Sequence, residues 1–323
     1  MLPLPPFSWL APRSLDEALD ALAAAPDETV LLAGGTDVLP HLKYGRRAPR
    51  RVIGLGRLPE LARVEPTADG GLWVGAGVTL DHLAAEPRVV ARYPALAAAA
   101  AAVGSPQLRR MGTLGGNLCL DTRCRYFDQS AFWRGALGHC LKKDGDTCHV
   151  VPGGRRCVAA LAADTPAPLL VYEATIELRS VRAVRRLALT DFYAGDGLRP
   201  HVAARDEVVT GVHLPAPAAD LRSAHVKVRA RAAIDFPLLA VAAAVGGGEA
   251  RVAVTALGPR PRLLRAPAPP GPLPDATIDA LIALARARCH PLASLGDEAW
   301  RAAQIAPSVR RALTSLQPSR ETP

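Results

Sequence analysis

Four cysteines, Cys124, Cys140, Cys148 and Cys157, fall within 34 residues at the spacing C-x15-C-x7-C-x8-C. None of the CxxC pairs usual in zinc ribbons or ferredoxin clusters is among them. The surrounding stretches RCRYFDQS, CLKKDGDTC and PGGRRC are polar, rich in turn formers and without apolar periodicity. Such a segment has little of its own to bury, so something other than a core must order it. A metal centre held by four thiolates would do so, because ligation converts binding energy into folding energy. The alternative is a set of scattered buried thiols, and four of six cysteines within one polar stretch weigh against it. Thiolate count alone leaves iron–sulfur and zinc both open. Cys119, at an apolar loop end, and Cys289, in a helix, read as structural.

A chain of 323 residues can bury more than one core, so several domains are expected. The N-terminus MLPLPPFSWLAPRS has neither a charged n-region nor a continuous apolar h-region, so it does not read as a signal peptide. The longest apolar run, ALAAAAAAV at 95–103, is too short to span a bilayer. A cytoplasmic protein without membrane contact is expected, with cysteines serving as ligands or buried thiols rather than disulfides. The net charge of +9 is spread along the chain without a Lys/Arg block or interleaved aromatics, which argues against nucleic-acid binding. No Ser-His-Asp set, paired carboxylates or HExxH motif supports hydrolysis.

Two glycine-rich loops precede the cysteine segment. Val30-Leu31-Leu32-Ala33 reads as a strand running into Gly34-Gly35-Thr36-Asp37 and then a helix from Val38. Glycines let the backbone approach a phosphate, and a helix start presents unpaired N–H groups. Taken alone, GGTD is more often a tight turn, and it is no GxGxxG fingerprint. The second loop, Gly112-Thr113-Leu114-Gly115-Gly116-Asn117, repeats the chemistry, and two such loops suggest a diphosphate cofactor.

Ser14 to Glu17 forms a capping box, and Thr79 is expected to cap another helix. Strands are expected at Arg51–Leu55, over LWVGAG, at Leu169–Val171, Thr175–Leu178 and Glu207–Leu214. Three more are expected at His225–Arg229, Leu238–Val245 and Arg251–Leu257, then a Pro-rich tether and helices at Asp275–Arg288 and about Trp300–Leu316. Asp164, before Thr165-Pro166, either caps a turn or accepts a hydrogen bond from a ligand. Lys227, one of four lysines, reads by default as a salt-bridge partner.

Together LLAGGTDVL, MGTLGGNL, AADTPAPLL and HVKVRARAAIDF resemble the FAD-binding subunits of the molybdenum hydroxylase (xanthine dehydrogenase) family over nearly the whole chain. The resemblance implies an α+β chain: an FAD-binding fold of two α/β subdomains, 1–57 and 58–217, and a C-terminal domain, 218–323, with a three-stranded sheet and helices. It implies that Leu31, Leu32, Ala33, Gly34, Gly35, Thr36 and Asp37 form one FAD loop. Gly112, Thr113, Gly116, Asn117 and Cys119 would form the other, with Asp164 contacting the cofactor and Lys227 near its isoalloxazine. In ordinary members the aspartate follows the GGN loop within about ten residues, whereas 46 residues separate Asn117 from Asp164 here. The excess, about 118–163, is the cysteine-bearing insertion, and it narrows the resemblance to 4-hydroxybenzoyl-CoA reductases.

That narrower resemblance implies a [4Fe–4S] cluster on Cys124, Cys140, Cys148 and Cys157. Its implied setting is a dimer of heterotrimers, with a molybdopterin-binding large subunit and a small [2Fe–2S] subunit. Reduced ferredoxin would be the donor, and electrons would pass through the cluster and FAD toward removal of a phenolic hydroxyl, giving benzoyl-CoA. Seven Arg/Lys against four Asp between 118 and 163 suggest a basic surface, including Lys142 and Lys143, that steers an acidic ferredoxin. The alternatives are another molybdenum hydroxylase with an aromatic or CoA-thioester substrate, or an assembly subunit whose loop holds structural zinc.

Overall fold

The computed structural model describes residues 2–317; the end of the expected C-terminal domain, 318–323, and Met1 lie outside the described residues. Three main sheets follow one another along the chain, and a two-stranded ribbon, Tyr193–Asp196 with Arg199–His201, lies beside the second. The first is a small parallel sheet in which Arg51–Gly54 lies between Ser8–Leu10 and Thr29–Leu32. Helix Leu15–Ala24 connects two of its strands and puts Leu15, Ala18, Leu19 and Leu22 against Ile53 and Leu55. Ser14 Oγ caps this helix by accepting from Glu17 N, whereas the Glu17 carboxylate accepts from Arg13 N. Only half of the reciprocal capping box therefore forms.

The second sheet is antiparallel, with Val208–Leu214 between Leu72–Gly75 and Thr175–Arg179. Alternate strand residues point to opposite faces. Leu72, Val74, Ile176, Leu178, Val212 and Leu214 thus share one buried face against the helices of 80–101. Thr79 caps the first of these, accepting from His82 N.

The third sheet has four antiparallel strands, Arg222–Val228, Leu239–Gly246, Glu249–Thr255 and Arg262–Pro267. Leu239–Gly246 is buried on both faces. Leu239, Val241, Ala243 and Val245 pack with helices Asp275–Arg288 and Ile305–Thr314. Ala242 and Ala244 turn the other way, into the core of the second sheet. The alanine-rich sequence AVAAAV reflects that second contact, where small residues let the strand approach helix Pro166–Val171, while helix Pro94–Ala101 packs on the neighbouring strand Arg222–Val228.

The expected α+β class holds, with local corrections. The C-terminal sheet has a fourth strand, Arg262–Pro267, in what read as a Pro-rich tether. It is an edge strand, where proline at the end costs no ladder bond. Leu169–Val171 is not a strand but the end of helix Pro166–Val171. Its six residues are all buried, so an unbroken apolar run hid the helical period. The last expected helix divides into Glu298–Ala303 and Ile305–Thr314. Cys289 ends a helix, as its buried C-cap residue, rather than lying inside it. The first C-terminal strand begins at Arg222 rather than His225, which places Lys227 near its end.

Candidate functional site: a cleft between two glycine loops and an adjoining thiol cavity

The sequence Thr29–Leu32, loop, Val38–Lys43 folds as strand, glycine turn and helix. Gly35 takes φ +71°, a left-handed conformation glycine adopts without steric cost. The second loop ends at Thr113, whose Oγ1 accepts from Gly116 N and caps the short helix Leu114–Leu118. The two loops touch backbone to backbone: a Cβ on Gly34 would lie 1.6 Å from Met111 O, and one on Gly115 would lie 2.7 Å from the Ala76 Cβ. Glycine at both places is a packing requirement.

Both loops line a cleft of about 1030 Å³. Of the expected FAD residues, Leu31, Ala33, Gly34, Gly35, Thr36, Asp37, Gly112, Thr113, Gly116, Asn117, Cys119 and Asp164 line it. Leu32 and Lys227 do not. Leu32 is engaged in the parallel sheet, and Lys227 stands behind Asp164. Lys227 Nζ donates to Asp164 Oδ2 at 3.0 Å and to Ala102 O at 2.9 Å. Asp164 Oδ1 is buried and makes no hydrogen bond, although it lies 2.9 Å from the same ammonium. Burial pushes the Asp164 carboxyl up to about 6 against the pull of Lys227. Burial likewise lowers Lys227, and Asp164 opposes that. A buried carboxylate whose one side-chain partner is Lys227, at the wall of a large cleft with exposed Gly116 backbone, fits a polar cofactor that brings further donors.

The sequence reading missed part of the lining. His41, Arg47, Asp121 and His201 contribute polar groups, and Ile234, Asp235 and Phe236 reach in from the turn between the first two C-terminal strands. HVKVRARAAIDF contained those last three residues, but nothing in the local pattern said the turn folds over a cleft. Ile234 has φ +68°, an outlier for a β-branched residue. Burial drives His41 down to about 4, against Asp37 and Asp121, which favour its charged form.

The four insertion cysteines are all buried and free of disulfides, and all four line one small cavity next to the cleft. Its other walls include Tyr126, Phe127, Leu141, Val150 and Ala159. At about 20 Å³ it has room for little more than a water, so an inorganic core needs the segment to move outward around it. Among the described residues, no three His, Cys, Asp or Glu side chains are grouped as they would be around one metal ion. A zinc ion with Zn–S bonds of about 2.3 Å would hold its sulfurs within roughly 4 Å of one another; these face a common space without that contraction. Burial raises the Cys124 thiol to about 11 and raises Cys157 as well, against the Ala159 N–H and the Lys142 charge. Ligation must therefore expel protons from buried thiols.

The insertion is tied down by polar contacts. Cys157 N donates to Asp196 Oδ1 at 3.2 Å, and Gly197 N to Cys157 O at 2.8 Å. Arg123 Nη2 donates to Asp37 Oδ1 of the first glycine loop at 2.5 Å, and its guanidinium lies 3.7 Å from the Phe236 ring centre.

The expected basic docking surface is not there in the form predicted. The Lys142 side chain is 7% exposed and paired with Asp121 at 2.7 Å. Arg134 is buried, and Lys143 pairs with Asp144. Local charge counting failed because it could not see that Lys142 and Arg134 are buried rather than presented at the surface. Arg125, Arg155 and Arg156 remain exposed.

Residues 5–217 match the family described as the FAD binding domain in molybdopterin dehydrogenase. The chain belongs to that family. This flavoprotein is 34% identical over 242 residues to the aldehyde oxidoreductase FAD-binding subunit PaoB of Escherichia coli (strain K12), covering 71% of the chain and 75% of the relative. It is 29% identical over 237 residues to the xanthine dehydrogenase FAD-binding subunit of Escherichia coli O157:H7, covering 73% and 67%. Among solved structures, carbon monoxide dehydrogenase from Hydrogenophaga pseudoflava superposes with TM-score 0.77 at 26% identity, over 97% of this chain and 98% of the other. FAD binding and an oxidoreductase setting follow from membership. Among the described residues of this flavoprotein, no helix is long and apolar enough to cross a membrane.

Proposed function

We propose that this FAD subunit also carries a [4Fe–4S] cluster on Cys124, Cys140, Cys148 and Cys157, and serves as the electron-transfer subunit of a 4-hydroxybenzoyl-CoA reductase. The observation that carries the reading is the convergence of these four cysteines, 34 residues from first to last, on one cavity beside the cleft. FAD supplies a centre able to exchange one or two electrons. The chain's own part is to seat it: the glycine loops offer backbone N–H groups, and Asp164 offers a carboxylate paired with Lys227. The partners in this reading are a molybdopterin-binding large subunit, a small [2Fe–2S] subunit and ferredoxin as donor.

The test is anaerobic purification with the partner subunits, followed by metal analysis, flavin count and EPR of the reduced sample. About four irons and one FAD per chain are expected, with reduction of 4-hydroxybenzoyl-CoA by reduced ferredoxin. One zinc and no iron would leave an assembly subunit with a structural loop. Iron present but turnover only of another aromatic or thioester substrate would keep the cluster and replace the substrate.

A further inference from the structure

Lys142 lines both cavities, the cleft and the thiol pocket. Its Nζ has three donors, and three acceptors surround it: Asp121 Oδ1 at 2.7 Å, Thr122 Oγ1 at 2.5 Å and Gly197 O at 2.6 Å. These three acceptors match the three N–H groups of a lysine ammonium. The Nζ also lies 4.9 Å from the Phe127 ring centre, and Phe127 is itself a wall of the thiol pocket. Among the residues lining that pocket, Lys142 is the one permanently charged side chain; its counter-ion Asp121 lines only the cleft. The Lys142 charge thus acts on the thiol side, where it favours the ionised form of Cys157, while Asp121 faces the cleft. Arg47 Nη2, 3.2 Å from Asp121 Oδ2, partly neutralises the cleft side.

We propose that Lys142 is an electrostatic positioning residue, which holds a fixed positive charge in the wall between the two redox sites and raises the reduction potential of the thiolate-held centre. A centre ringed by four thiolates is net negative and becomes more so on taking one electron. A desolvated cation at its wall favours the reduced form, because charge interactions are strong where water is excluded. The ladder Asp121–Lys142–Gly197 also ties the insertion to the turn after Asp196.

This inference rests on the cluster reading, and the experiment keeps the two apart. The full chain is purified with its partners, iron and FAD are counted, and midpoint potentials are read by mediated titration, using EPR for the iron centre and visible absorbance for flavin. Lys142→Met should shift the iron centre to lower potential by at least tenfold in its reduction constant, 59 mV for one electron. Asp121→Asn, which keeps the ammonium and removes its counter-charge, should shift it upward. Opposite shifts from two changes at one ion pair are not what general loosening would give. An unchanged potential in iron-loaded Lys142→Met overturns the proposal. Should Lys142→Met lose its iron, Asp121→Asn decides alone, and an unchanged or lowered value overturns the proposal. Absence of iron from the unmodified chain defeats the cluster reading, and this inference with it, before any variant is made.

Discussion

The flavin cleft and the thiol cavity lie side by side but are held in place by different means. The cleft is walled by loops whose strands and helices pack into two large apolar cores, and its glycines meet backbone to backbone. The thiol cavity hangs on a cluster of only four buried residues, Cys124, Phe127, Cys157 and Ala159, plus hydrogen bonds and ion pairs. The first site should exist without its ligand, whereas the second should depend on its ligand for order. Regions with few buried apolar contacts are those that open locally at low cost.

The largest expected effect breaks the weaker side. Cys140→Ser should remove most of the iron and raise proteolytic cleavage within 138–157 at least about tenfold, equivalent to local destabilisation of about 1.4 kcal/mol. FAD content should stay near that of the unmodified chain. Joint loss of flavin and iron would show that the two sites fold as one unit.

A smaller effect probes the stronger side. Gly35 and Gly34 are poor probes: the first needs its positive φ, and a Cβ on the second strikes Met111 O. Gly116 is exposed in the cleft, and a Cβ there meets only Thr113 Oγ1, at 3.2 Å. Gly116→Val should therefore weaken FAD by roughly tenfold, in line with the 1–3 kcal/mol cost of overpacking, while the melting temperature of flavin-free protein changes little. Unaltered FAD affinity by fluorescence titration would remove the second loop from the site.

The mildest test concerns acid. His225 Nε2 is buried without a hydrogen-bond partner, and burial takes the ring down to about 3. Below the ordinary 6.5, the unfolded chain binds a proton that the folded chain refuses, so stability falls as pH drops from 6.5 toward 3. The slope is about 1.4 kcal/mol per pH unit for this one group. Asp164, raised to about 6, works in the opposite sense between about 4 and 6, so the net slope there is shallower. His225→Gln should flatten the acid limb in denaturant titrations at pH 4 to 7; an unchanged limb would mean the ring is not held neutral.

The sequence by itself determined what depends on neighbours along the chain. Gly35 could be read from the turn between strand and helix, Ser14 and Thr79 from capping chemistry, and the cysteine quartet from its density in a polar stretch. Where the period was hidden, as in the wholly buried helix Pro166–Val171, the same reasoning failed. Only the tertiary structure could decide how charge is arranged, because an ion pair is made by proximity and not by composition. It turned Lys142 from an expected surface cation into a buried one held by Asp121, Thr122 and Gly197, and it paired Asp164 with Lys227 at the cleft wall. Residues 121, 142 and 197 meet because the insertion folds back on the sheet domain, and nothing in their local sequence encodes that meeting.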